Sequence, residues 1–420
     1  MIRAIRGTRD LLPPSISTWN FVEATSREIF RTFNYQEIRT PIFEETALFA
    51  RGVGEETDIV TKEMYTFADR DEDKTSLTLR PENTAGVIRA YLEHNLSQRP
   101  GLTKLFYMGP MFRRERPQKG RYRQFCQIGA EVIGSDSPAV DAEVIEMVCR
   151  LLDACGVENY ELLINSVGTP ASRPKFVEAI KQQLAPVLDK LSPDSQRRLE
   201  TNPLRILDSK AEQDQSYIDA LPSIHDYLDE DTKSHFARVK EYLEDRGIKY
   251  TVNPRMVRGL DYYTRTTFEI VHKGALGSQN SVLGGGRYDG LAETLGSKTP
   301  APGIGFSIGE DRLVMILEET KPGQHKHELD LYVVPMDEVS FRHASQLVTP
   351  LRQAGAAVEL APAGKLKRGL ELASKLGSKH ALLIGETEVS TGQYTLKTLA
   401  TGEQRSVSAE QLKKELCPKL

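Results

Sequence analysis

The sequence predicts an α+β chain: a mainly antiparallel sheet flanked by helices over residues 1–320, a helical insertion at about 170–250, a linker at 321–329 and a small α/β domain at 330–420. Three observations predict it. Apolar runs at Leu105–Phe112 and Phe125–Ile133 flank a loop broken by Pro117 and Gly120, the pattern of a hairpin. From about 170 to 250 the chain turns helical, polar and poor in aromatics, and sheet-like patterning resumes at 259–271 and 303–308. After a linker that begins Lys321-Pro322-Gly323, strand and helix patterns alternate: Leu331–Pro335, 339–354, Ala357–Leu360, 365–376 and His380–Gly385. That order predicts a small parallel α/β domain.

Composition sets the frame. The chain has 420 residues, 39% hydrophobic and 27% charged, with a formal net charge of −4. This is the balance of a globular protein of two or three domains. No apolar run is long enough to span a bilayer, and the first ten residues lack the apolar core of a signal peptide. Cys126, Cys149, Cys155 and Cys417 show no paired metal-ligand spacing, which predicts reduced thiols in a cytoplasmic setting and no resident metal. An acidic net charge argues against a chain coated in nucleic acid but permits RNA binding through local patches.

The first elements follow from periodicity. Residues 18–33 carry Phe21, Ile29, Phe30 and Phe33 at helical spacing. Ile38–Pro41 is a short strand, 54–76 a set of charged surface hairpins, and Thr78–Glu82 a strand running into a helix with Pro81 in its first turn. Val144, Ile145, Val148, Leu151 and Leu152 predict a helix over 140–155.

The hairpin loop is the most informative stretch. Arg113, Arg114, Arg116, Lys119, Arg121 and Arg123 stand against Glu115 alone, a local +5. Such a loop beside a sheet suits a polyanion, either nucleotide phosphates or an RNA backbone. On the strand that follows, alternation puts Cys126, Ile128, Ala130 and Val132 on a helix-packed face and Phe125, Gln127, Gly129 and Glu131 on the other. Gly129 leaves room for something to lie on the sheet. A half-exposed strand with a solvated face is the alternative, which weakens if other strands bring polar groups to the same surface.

Two further segments do so. Arg258–Glu269 is rich in β-branched and aromatic residues and predicts a strand. Tyr262, Thr264, Thr266, Phe268 and Ile270 share its apolar face, and Asp261, Tyr263, Arg265 and Glu269 the other; cross-strand ion pairing is the plainer explanation of that charge. Gly303–Gly309 predicts a strand lying against a backbone or a flat ring, with Arg312 in the first turn of the next helix. Gly284–Gly286 reads as a glycine-rich turn before Arg287-Tyr288. No P-loop sequence occurs, and Gly284–Gly286 lacks the helix of a dinucleotide site.

Together these segments resemble the class II aminoacyl-tRNA synthetases, and specifically the histidyl-tRNA synthetase family, over nearly the whole chain. The basic hairpin resembles the second class motif, Gly303–Arg312 the third, and the segment ending at Pro41 the first, which in the family lies at a dimer interface. Arg258–Glu269, Arg80-Pro81-Glu82 and Gly284–Asp289 resemble the histidine-specific signatures. The resemblance implies a catalytic domain at 1–320, an anticodon-binding domain at 330–420, a homodimer, and ATP with Mg²⁺, L-histidine and tRNA-His as partners. By residue, it implies Arg113 at the ATP α-phosphate, Arg312 at the γ-phosphate and Phe125 on adenine. Glu82, Thr84 and Gln127 would hold the substrate ammonium, Glu131 and Tyr263 the imidazole, with Tyr262 beside them. Arg258 would act at the reacting centre with Arg113. Arg116, Lys119 and Arg121 would meet the acceptor end, Lys367 and Arg368 the anticodon arm, and the insertion is expected to clamp tRNA. From charge alone, the net +4 over 365–379 fits a solvated helix as well as a phosphate backbone. The chain departs from the family pattern at Asn83, often Gly, and at Asp311, commonly Glu, whose shorter reach puts a metal-coordinating role in doubt. A non-catalytic regulatory subunit of ATP phosphoribosyltransferase is the alternative the resemblance leaves; such paralogues degrade the Arg258–Glu269 signature and usually lack the C-terminal domain.

Overall fold

The computed structural model describes residues 2–70, 72–274, 280–325 and 328–416. Cys417 and part of the linker lie outside the described residues. The chain forms two compact units that part after His325.

The first unit opens with α1 (Ile16–Thr32), which buries Trp19, Val22 and Phe30. β1 is Gln36–Glu37, two residues before the strand expected at 38–41. Ile38 still donates to the Phe106 carbonyl at 2.8 Å, but Pro41 has no N–H with which to extend the ladder. β2 (Phe43–Glu45), α2 (Thr46–Val53), β3 (Tyr65–Ala68) and β4 (Ser76–Leu79) follow, the strands forming a small antiparallel sheet in the order β2-β4-β3. α3 is Thr84–Glu93. Pro81 lies before it rather than in its first turn: the helix starts at Thr84, where the Glu82 carboxylate accepts the Thr84 and Ala85 N–H groups.

The basic hairpin is β5 (Thr103–Phe112) and β6 (Gln124–Ile133), paired from Thr103↔Ile133 to Phe112↔Gln124. α4 (Pro138–Cys155) starts where the Ser137 hydroxyl accepts the Ala139 N–H and stops at Gly156 in a left-handed conformation. β7 (Tyr160–Ser166) leads into α5 (Arg173–Leu184), α6 (Pro193–Thr201), α7 (Glu212–Asp219) and α8 (Glu230–Asp245). Then come β8 (Thr251–Val252), β9 (Thr264–His272), β10 (Ser281–Arg287), α9 (Leu291–Thr294), β11 (Gly303–Gly309) and α10 (Glu310–Thr320). The strands make one eight-stranded sheet ordered β1-β5-β6-β11-β10-β9-β7-β8, antiparallel except at the two outer pairs. The mainly antiparallel sheet is as expected.

Two of its strands correct the sequence reading. The segment Arg258–Tyr263 is a loop, and β9 begins only at Thr264. Arg265 has φ +49°, and the β9–β10 register slips between Gly286 and Arg287, so the alternation expected across 258–269 does not hold. Gly284–Gly286 is the middle of β10, not a turn.

One face of the sheet is apolar. Ile128, Ala130, Val132, Phe268, Ile270, Ile304, Phe306 and Ile308 pack on α1, α4, α8 and α10. Each of these apart from Ala130, fully buried, contributes about 1.5–3 kcal/mol. α8 belongs to this core through Phe236, Val239 and Leu243, whereas α5–α7 close around their own, with Phe176, Ile180, Leu184, Leu199 and Ile218.

The second unit contains β12 (Leu329–Pro335), α11 (Glu338–Gln353), β13 (Val358–Leu360), α12 (Leu366–Lys375) and β14 (Ser378–Ile384). α13 (Glu386–Thr391), β15 (Gln393–Thr398), β16 (Gln404–Ser408) and α14 (Ala409–Leu416) complete it. β13, β12 and β14 are parallel as expected, but β15 and β16 add an antiparallel hairpin, so the sheet is mixed. The period-two burial of Tyr394 and Leu396 amid polar residues is the pattern that marks β15.

Candidate active site

The other face of the large sheet floors a cavity of about 210 Å³ lined by Glu82, Thr84, Arg113, Phe125, Gln127, Arg258, Tyr262, Tyr263, Tyr288 and Arg312, among others. Its floor is cut low by glycines. A Cβ at Gly284 would overlap the Arg258 guanidinium, one at Gly305 the Glu131 carboxylate, and one at Gly303 the Tyr288 ring. Gly129 makes room for the Tyr107 ring of the neighbouring strand, not for a ligand lying on the sheet. The missing side chains therefore admit the protein's own charged and aromatic groups.

Three arginines from distant segments meet there. Arg258 Nη1 donates to Glu269 Oε1 at 2.9 Å. Burial works against its charge, but Glu269 and the Tyr263 and Tyr262 phenols more than offset that, and its pKa lies above the usual guanidinium value. Arg113 Nε donates to the Pro81 carbonyl at 2.9 Å, and its guanidinium carbon lies 5.3 Å from the Phe125 ring centre. Arg312 donates to the Gly120 carbonyl at 3.1 Å and the Ser281 carbonyl at 2.7 Å. Burial lowers its pKa, and the neighbouring Arg121 and Arg113 charges lower it further against the opposing Glu115 and Glu269 carboxylates.

The opposite end is acidic and phenolic. Glu82 accepts the Thr84 N–H at 2.7 Å and the Ala85 N–H at 3.0 Å at the start of α3, while burial raises its pKa. Glu131 is 1% exposed and sits behind Gly305 rather than on the cavity wall. It accepts from the Thr84 hydroxyl at 2.8 Å and the Tyr288 hydroxyl at 2.6 Å. Burial pushes its pKa up to about 8, against those hydroxyls. Between the two ends, Gln127 Oε1 and Arg258 Nε are buried without a hydrogen-bond partner among the described residues. Buried polar atoms of this kind are costly unless something else satisfies them.

A family model described as histidyl-tRNA synthetase matches residues 7–313, and one described as an anticodon binding domain matches 330–417. The chain belongs to the histidyl-tRNA synthetase family. It is similar to a histidine–tRNA ligase from Solibacter usitatus, 63% identical over 98% of each chain. Another, from Koribacter versatilis, is 56% identical over 98% of this chain and 95% of that one. Among solved structures it is similar to apo histidyl-tRNA synthetase from S. aureus, with a TM-score of 0.81 and 38% identity over 99% of this chain and 100% of that one.

Of the residues singled out from this family's signatures, Glu82, Thr84, Arg113, Arg121, Phe125, Gln127, Arg258, Tyr262, Tyr263 and Arg312 line one cavity. Tyr262 and Tyr263, assigned to opposite faces of a strand, instead sit side by side with ring centres 4.7 Å apart, because their segment is a loop. Arg116 and Lys119 are exposed on the hairpin loop and do not line the cavity. Lys367 and Arg368 are exposed on α12 in the second unit. Lys379 pairs with Glu328 and with Asp330 at 3.1 Å, so the positive stripe of 365–379 is weaker than its composition suggests. Both oxygens of Asp311 are engaged, one by Arg9 and one by the Cys126 N–H. Tyr107 and Tyr288, which bond Glu131, were given no role from sequence. The glycines facing them, Gly129 across the ladder and Gly303, were the signal.

Proposed function

We propose that the chain is a histidine–tRNA ligase: it activates L-histidine with ATP to histidyl-adenylate and pyrophosphate, then transfers histidine to the 3′ end of tRNA-His. The observation that carries this reading is the convergence of Arg113, Arg258 and Arg312 over a sheet whose far end buries a carboxylate under two phenols. In the first step a histidine carboxylate oxygen attacks the α-phosphorus and the bond to the β-phosphate oxygen breaks. Little covalent work falls to the protein, so rate comes from alignment and from fixed positive charge where negative charge grows. Arg113 and Arg258 serve the α-phosphate, Arg312 the γ-phosphate, and Phe125 stacks on adenine. Guanidinium suits each because it keeps its charge and grips oxygen pairs. ATP arrives as its Mg²⁺ complex, the ion being part of the substrate; Asp311, with both oxygens taken, is not assigned to it.

Glu82, Thr84 and the unpaired Gln127 oxygen hold the ammonium group. The imidazole, one donor and one acceptor, meets the Tyr263 hydroxyl; Glu131, behind Gly305 with its oxygens taken by Thr84 and Tyr288, is given no direct contact and instead orients those two hydroxyls. A competing side chain lacking either atom strands buried polar groups, a source of discrimination of roughly 10⁴-fold. The hairpin loop with Arg116, Lys119 and Arg121 faces the acceptor end, the α5–α7 module clamps the tRNA, and α12 with Lys367 and Arg368 meets the anticodon arm. A cytoplasmic homodimer is part of this reading: Ile42, Phe43 and Phe67 are exposed by 44%, 53% and 46% beside the first motif, an apolar patch that suits a second copy.

Histidine-dependent ATP–pyrophosphate exchange tests the reading. Exchange with histidine and with no other amino acid is expected; none at all would favour a regulatory subunit. The intact Arg258–Glu269 segment and the second unit weigh against that alternative.

A further inference from the structure

The loop Arg258–Tyr263 carries five of the cavity residues, yet it has no strand ladder of its own. Its anchors come from α2 and from the α5–α7 module. Arg173, the first residue of α5, donates from Nη2 to the Tyr263 carbonyl at 2.5 Å and from Nε to the Val167 carbonyl at 3.3 Å. Beside it the Val167 N–H donates to the Arg265 carbonyl and the Arg265 N–H to the Gly168 carbonyl, each at 2.8 Å. Asn202 Nδ2 donates to Asp261 Oδ1 at 3.1 Å, and the Asp261 N–H to the Val53 carbonyl at 3.2 Å. Val257, Leu260, Tyr262 and Tyr263 pack into the same apolar core as Phe176, Ile180 and Leu184. Burial lowers the Arg173 pKa, with the Asp261 charge opposing. A charged donor in such a place makes a stronger bond to a carbonyl than a neutral one.

We propose that Arg173 is a positioning residue for amino-acid binding: by gripping the Tyr263 carbonyl it fixes the loop that presents Tyr262 and Tyr263 to the substrate. The inserted module thereby sets the geometry of the amino-acid end of the cavity, while the nucleotide end rests on β5, β6 and α10. The proposal rests on the reading of the cavity as a histidine site. It predicts an asymmetric defect. In the exchange assay on the full chain, Arg173→Ala should raise the KM for histidine about tenfold, the loss of one charged hydrogen bond, and leave the KM for ATP within about twofold. Arg173→Lys, which keeps one charged donor near the carbonyl, should recover part of the loss. An unchanged histidine KM, equal increases in both KM values, or no rescue by lysine would each overturn the proposal. If Arg173→Ala does not fold by its melting curve, Arg173→Lys and Arg173→Gln are held to the same asymmetry, with glutamine the weaker of the two. Hydrogen exchange of the amides at 257–263 in the substrate-free protein reads the grip without activity. About tenfold faster exchange is expected in the alanine or glutamine variant, and unchanged rates would overturn the proposal even if the wild type proved inactive with histidine. Failure of wild-type exchange activity alone would count against the histidine–tRNA ligase reading instead.

Discussion

The two larger sheets of this protein solve opposite problems. In the C-terminal sheet the central strands carry Leu331, Tyr332, Val333 and Val334 and, next to them, Ala381 to Ile384, buried on both faces against two apolar clusters. In the large sheet only the helix-covered face looks like that. The other face buries Glu82, Gln127 and Glu131 beside Arg258 and places glycines where side chains would pack. Apolar strands covered on both sides give stability and offer no chemistry. A strand whose side chains are withheld gives up packing and gains space for charge in a low-dielectric setting, where its interactions are strong.

The comparison can be broken most directly at Arg258. Arg258→Ala should reduce histidine-dependent exchange by about 10³-fold, the scale of losing a fixed charge at the reacting centre, with a melting temperature close to that of the parent. Exchange within tenfold of wild type would remove Arg258 from the chemistry. The reverse pattern is expected in the second sheet. Leu331→Ala should cost about 2–5 kcal/mol in unfolding of the C-terminal unit and leave exchange unchanged, as denaturant melts and the same assay would show. Gly284→Ala tests the floor: its Cβ overlaps the far end of a flexible side chain, so the fold should survive while Arg258 is displaced and exchange falls by about 10²-fold. Equal loss of stability and activity would make Gly284 a packing residue.

A smaller effect concerns Glu310 at the start of α10, 1% exposed, with Oε1 unpartnered among the described residues. Burial first, then Glu23 and Asp311, raise its pKa from 4.5 to about 9. The neutral acid suits the folded state, so its contribution is complete below about pH 4.5 and is lost as pH rises through 9. Glu310→Gln should therefore melt higher than the parent at pH 8, with the difference vanishing near pH 4. A constant offset at all pH values would refute the ionisation account. The smallest effect is expected on α12: Lys367→Ala with Arg368→Ala should raise the KM for tRNA several-fold and leave that for ATP unchanged.

Much of this was legible in the residues. The β5–β6 hairpin, the α10 joint and the alternating strands and helices of the second unit follow from periodicity and punctuation, because each is local. Two segments misled for the same reason. Tyr262, Tyr263 and Thr264 have the propensities of a strand, but the backbone up to Tyr263 is held by Arg173, distant in sequence. Gly284–Gly286 has the composition of a turn, but its glycines answer Arg258 and Tyr263, side chains from another segment. The ten residues that meet in the cavity were named from family signatures. Tyr107 was not, and Tyr288, though inside the Gly284–Asp289 signature, was given no role, since a tyrosine announces nothing until the glycine that faces it is seen.

The glycine floor has a practical corollary for redesign. At 284, 303 and 305 almost every codon change adds an atom to a place already filled, so a library that randomises those positions would return few working clones. Altered amino-acid preference is better sought above the floor, at Tyr263 and in the module that holds it, where shape can change without evicting a charge.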